Sequence, residues 1–196
     1  MQRANNIDVR EFTTYKFFNS VFTGLSIGSI FTIYTPLQPS IYSVGGIFLA
    51  LAMLFIAKLY SKIMNRHYFY RISLAVEIVM LALVLYFLLF SYSYATALIV
   101  YISYQATFSF GSYLVRAETI LFKKRKILTF LDVAKQKGYL GGMVLSFLFY
   151  KGLEHLFAVT DNTAQVYDLH FLLLAVELIT IVYLVRAFKT TTEDAA

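Results

Sequence analysis

The feature that most constrains this chain is a series of long apolar runs separated by short polar stretches. A helix that crosses a bilayer needs about 20 mostly apolar residues, because the hydrocarbon core is about 30 Å thick and each residue rises about 1.5 Å. Windows of that size fit six runs: 17–34, 41–57, 72–90, 95–115, 138–157 and 169–185. The fifth is the weakest, since its apolar stretch stops at Tyr150 and Lys151, Glu154 and His155 follow. Barrel strands would alternate lipid-facing and lumen-facing residues, and these runs do not alternate. Composition agrees. Of 196 residues, 59% are apolar and 14% charged, against about 25% charged in an ordinary soluble domain. That balance excludes a soluble globular domain, a disordered tail and a nucleic-acid binder. The expected fold class is all-α and integral to the membrane, with six transmembrane helices.

Orientation follows from lysine and arginine, which gather on the cytoplasmic side of a membrane protein. If all six runs cross, one face carries Arg3, Arg10, Lys16, Lys58, Lys62, Arg66, Arg71, Arg116, Lys123, Lys124, Arg125, Lys126, Lys135, Lys137, Arg186 and Lys189. The opposite face holds only Lys151. So one-sided a distribution supports an even number of crossings with both termini cytoplasmic. The expected organisation is a cytoplasmic arm over 1–16, a transmembrane domain over 17–188 and a cytoplasmic tail over 189–196. The polar opening and the lack of a small-residue cleavage site before the first run argue against a cleaved signal peptide. The expected location is the plasma membrane, or the inner membrane if the source is bacterial.

The last three runs echo the first three in order. Ser26, Gly28, Ser29 and Phe31 of the first are matched by Ser109, Gly111, Ser112 and Leu114 of the fourth. Gly45, Gly46 and Leu49 of the second are matched by Gly141, Gly142 and Leu145 of the fifth, and the Leu74–Glu77 word of the third returns at 174–177 in the sixth. Three crossings are odd, so a second copy enters the bilayer inverted. Such inverted repeats are an architecture of secondary transporters.

On this topology, repeat order and loop charge, the chain resembles one six-helix half of the major facilitator superfamily from about Tyr15 to Arg186. That family carries a Gly-x-x-x-Asp-Arg-x-Gly-Arg-Arg pattern between its second and third helices. The corresponding stretch here, 57–67, keeps basic character at Lys62 and Arg66 but has neither the first Gly nor the Asp. The family's arginine within the fourth helix is also missing, with Arg116 only at the cytoplasmic end of that run. The resemblance implies a 3+3 inverted repeat whose first and fourth helices line a central cavity and whose third and sixth are peripheral.

Polar residues inside apolar runs are costly and therefore informative. The fourth run places Tyr101, Tyr104, Gln105 and Ser112 along one helical face together with Phe108. The first run offers Asn19, Thr23, Ser26 and Ser29. These eight polar residues are the candidate substrate pathway, and its neutral hydroxyl, phenol and amide groups suit a small polar solute. The competing reading is helix packing, with Ser and Thr bonded back to their own helices. Glu77 and Glu177 are intramembrane carboxyls and candidates for proton coupling, or structural groups hydrogen-bonded between helices. Lys151, Glu154 and His155 are candidate outer-gate residues, or a solvated helix end.

The basic stretch 116–137 has Ile120, Leu121, Ile127, Leu128, Leu131 and Ala134 on a rough stripe. It fits an amphipathic loop helix on the anionic lipid of the inner leaflet. No phosphate-cradling Gly-x-x-x-x-Gly-Lys-Ser loop and no His-Glu-x-x-His motif is present, so no enzyme activity and no cofactor or metal is expected. The chain has no cysteine. The function expected is secondary transport by alternating access. Because six helices form only one wall of a cavity, the expected partner is a second copy of the chain or another six-helix half. The alternative is a non-transporting membrane scaffold or a subunit of a larger membrane complex.

Overall fold

The structure, a computed structural model, describes residues 7–90 and 92–189. Arg3 of the arm, and the tail beyond Lys189, lie outside the described residues. Secondary structure over the described residues is helical: α1 Val9–Tyr34, α2 Pro39–Lys58, the single turn α3 Tyr60–Ile63, α4 Arg66–Leu89, α5 Tyr94–Ser109, α6 Gly111–Phe122, α7 Arg125–Leu156 and α8 Asn162–Phe188. Four of these, α1, α2, α4 and α8, are long and apolar enough to cross a membrane. The protein is thus all-α, with several helices suited to a multi-pass membrane protein.

The helices differ from six single spans in three places, each with a local cause. The run expected as one helix over 95–115 is divided at Phe110 into α5 and α6. There the Thr107 and Ser109 hydroxyls donate to the carbonyls of Tyr104 and Ala106 at 2.9 and 2.6 Å. Such back-bonding competes with the helical ladder and bends it. The stretch expected as a separate amphipathic loop helix over 116–137 is helical on both sides of a tight turn, but it belongs to its neighbours: it completes α6 and opens α7. Lys123 makes the turn with a left-handed φ of 51°. At 32 residues, α7 is about 48 Å long, more than a hydrocarbon core can hold. Finally, most of the described part of the expected arm is already helix, because Asp8 caps α1 by accepting from the backbone N–H groups of Arg10 and Glu11 at 2.8 and 3.1 Å.

Packing centres on α1, which lies against α7 along one side and α8 along another. Close approach to α7 needs glycine. A Cβ on Gly142 would run into the Val21 carbonyl, one on Gly138 into the Phe17 carbonyl, and one on Gly24 into the Tyr139 carbonyl. Small residues four apart let helix backbones touch in this way in membranes, where dispersion rather than water expulsion drives association.

Two apolar clusters result. One, around Phe12, Phe69, Tyr113, Phe122 and Phe188, lies where α1 begins and α8 ends. There the Asp8 N–H donates to the Ala187 carbonyl at 3.0 Å, and Arg186 pairs with Glu11 at 2.9 Å. The other, around Leu25, Val84, Phe87, Val100, Leu169 and Leu173, fills the opposite half. Outward faces are apolar as well: Ile47, Phe48, Leu51 and Phe55 of α2 and Leu140, Val144, Phe147 and Leu148 of α7 are all exposed. So much apolar surface suits a lipid solvent and would aggregate in water.

Candidate functional site

Polar residues collect between the two apolar clusters. On α4, Phe69 belongs to one cluster and Met80 and Leu83 to the other, which leaves Glu77 between them. On α8, Leu173 and Leu184 bracket Glu177 in the same way. Both carboxyls are buried, at 1% and 0% exposure, and they are direct neighbours.

Glu77 Oε1 accepts two hydrogen bonds from α1. The Tyr15 hydroxyl donates at 2.7 Å and the Asn19 amide at 3.0 Å. Tyr15 and Asn19 stand four apart and share a face of α1, so one carboxyl oxygen reaches both. Glu77 Oε2 and both oxygens of Glu177 have no donor among the described protein groups. A proton shared between Glu77 Oε2 and one Glu177 oxygen would satisfy two of these three atoms. Two adjacent carboxylates, both ionised in a dry interior, would have no such remedy. Tyr104 of α5 lies near enough to Glu177 for the two to interact electrostatically, and near Ser26. Ser26 in turn donates to the Thr23 carbonyl at 3.0 Å.

Of the eight pathway candidates, Asn19 binds the carboxyl pair and Tyr104 lies near it, with Ser26 beside Tyr104. Thr23 is exposed and donates to the Asn19 carbonyl at 3.0 Å, and Ser29 is buried and donates to the Ser26 carbonyl at 2.8 Å. Tyr101 belongs to an aromatic cluster with Tyr34 and Tyr42 and donates to the Tyr42 carbonyl at 3.2 Å. Gln105 is half-buried and its Oε1 has no hydrogen-bond partner among the described residues. Ser112 lines an open groove of about 720 Å³ on α6 with Gly111, Val115, Arg116, Thr119 and Ile120.

The outer-gate candidates stay within one helix end. Lys151 pairs with Glu154 at 2.6 Å and its carbonyl meets His155 Nδ1 at 3.0 Å, all three residues being exposed. An exposed pair three residues apart contributes little to stability. No group of three His, Asp or Glu side chains among the described residues is arranged to hold a metal ion.

Three features were not singled out from the sequence. Tyr15 lies just before the first apolar run, yet it makes the shortest hydrogen bond to Glu77. Lys16 and Glu118 form a buried ion pair at 2.8 Å, with Lys135 at 4.0 Å from the other Glu118 oxygen. The α1–α7 contact was present in the sequence as Gly24-x-x-x-Gly28 and Gly138-x-x-x-Gly142. No family model, curated protein or solved structure matches this chain.

Proposed function

We propose that the protein is a half-size secondary transporter of the major-facilitator type, working as a dimer by alternating access and coupled to protons through Glu77 and Glu177. The carrying observation is the carboxyl pair itself: two acids from different helices, buried between two apolar layers and close enough to interact. Holding such groups in a membrane interior is costly, and residues of this kind mark ion and proton pathways.

The order of packing supports the 3+3 repeat. Take α5 with α6 as the fourth span and α7 as the fifth. Exchanging spans one with four, two with five and three with six then preserves the main pattern of neighbours. The α1–α7 contact becomes that of α5 with α2, and the α1–α8 contact becomes that of α5 and α6 with α4. The α4–α8 and α1–α5 contacts map onto themselves. In this reading both termini are cytoplasmic, the basic turn at 123–126 meets anionic lipid, and a second copy faces α1 and α5 to close the path for a small polar solute.

A scaffold reading has its own observation. Ser26 and Ser29 donate to carbonyls of their own helix, and Tyr101 donates to a carbonyl of α2, as packing residues do. Cysteine substitution from Tyr101 to Ser112 in this cysteine-free chain separates the two. Transport predicts periodic labelling by a water-soluble thiol reagent through the middle of the stretch, together with lipid-phase crosslinking to a second copy. Labelling confined to the ends, in a strictly monomeric protein, would contradict it.

A further inference from the structure

The buried ion pair beside the carboxyls has no role in holding them, yet it lies within electrostatic reach. Lys16 Nζ is 2.8 Å from Glu118 Oε2, and the two side chains are 12% and 6% exposed. Lys16 follows Tyr15 and precedes Asn19 by three residues, so it flanks the strip of α1 that binds Glu77. Its charge acts on Glu77, and that of Glu118 acts on Tyr15. Glu118 has a second cation in waiting, since Lys135 of α7 stands 4.0 Å from its other oxygen. Among the described residues, the titratable groups that act on the carboxyl pair or on Tyr15 include Tyr15 and Lys16 of α1, Tyr104 of α5 and Glu118 of α6. Lys16 is the cation among them.

We propose that Lys16 is a charge-compensating switch for the Glu77–Glu177 pair. This rests on the proton-coupled reading above. While the pair holds its proton it carries one negative charge, and Lys16 stays on Glu118. When the O–H bond breaks and the proton leaves to water, the pair carries two. Lys16 then moves its ammonium from Glu118 to the unpartnered Oε2 of Glu77, and Lys135 takes over Glu118. Each carboxylate keeps a cation, and no buried charge is left uncompensated. A flexible four-carbon stem with a compact charge suits this exchange better than a guanidinium fork would.

The test is infrared difference spectroscopy of the full chain in lipid between acidic and alkaline buffer, reading the band of protonated carboxyl. Wild type loses this band on alkalinisation, and Glu177→Gln removes it. In Lys16→Glu/Glu118→Lys the ion pair is kept but the switch is reversed, so the band persists in alkaline buffer. The neutral pair Lys16→Gln/Glu118→Gln, which introduces no charge clash, gives the same persistence. Glu118→Gln alone frees Lys16 for Glu77, and its band is lost at a lower pH than in wild type. Circular dichroism establishes that each variant is folded. Wild-type behaviour in the charge-reversed and neutral variants would overturn the switch while leaving the titrating pair intact. Absence of the band from wild type would instead overturn the proton-coupled reading.

Discussion

Tyr15 on α1 donates its hydroxyl to Glu77 on α4 at 2.7 Å, across 62 residues of sequence. This bond ties the first helix to the carboxyl pair and sets which Glu77 oxygen remains open toward Glu177. Tyr15→Phe keeps the ring packed in its aromatic cluster and removes only the donor. It is expected to lower stability by about 1 kcal/mol, the net worth of one hydrogen bond, because Asn19 still donates to the same oxygen. Thermal unfolding followed by circular dichroism is the suitable measurement, because the chain has no tryptophan.

The glycines of α7 give a prediction with an internal control. A Cβ on Gly142 meets backbone of α1, whereas one on Gly141 meets nothing within 4 Å. Gly142→Val should separate α1 from α7 and destabilise by about 1–3 kcal/mol or abolish folding. Gly141→Val should stay within about 0.5 kcal/mol of wild type. Equal unfolding temperatures for the two variants would contradict the contact.

Tyr92, in the turn between α4 and α5, donates to the Thr32 and Ile33 carbonyls at 2.8 and 3.2 Å. Burial pushes its hydroxyl above the ordinary phenol range, so folding favours the neutral form. The contribution is complete below a pH of about 10 and fades as pH rises past the folded value. Tyr92→Phe should lose about 1 kcal/mol at neutral pH, and the gap to wild type should close in alkaline buffer.

Charge pairs at the two ends of the bundle should respond differently. Glu154→Gln removes an exposed partner of Lys151 and should leave the unfolding temperature unchanged. Glu118→Gln breaks the largely buried tie between α1 and α6 and should lower it clearly, even with Lys16 free to turn to Glu77. Parallel melts of the two variants provide the check.

Much of this was legible because membrane insertion imposes strong patterns. The apolar runs locate α2 at both ends, and α1, α4 and α8 at their C-terminal ends, to within a few residues. Glu77 and Glu177 stand out as acids in apolar surroundings. Their meeting was not legible, since two residues 100 positions apart carry no spacing signal, and it arises from the α4–α8 packing. Tyr15 and Lys16 fall in the polar flank because the apolar run begins at Phe17. The apolar stripe marks 125–137 as helix, but its charges set it apart from the fifth apolar run, although it contains neither Gly nor Pro to separate the two. The division at Phe110 depends on two hydroxyls turning back to their own helix, which hydropathy does not register.

The most direct test of the central claim is proton movement in sealed vesicles containing the reconstituted protein and an internal pH-sensitive dye, challenged with a panel of small polar solutes. The account predicts that a transported solute moves protons with it in wild type. It predicts that Glu177→Gln, folded and inserted equally well, moves none. Undiminished solute-driven proton flux in that variant would contradict the assignment of the carboxyl pair as the coupling site.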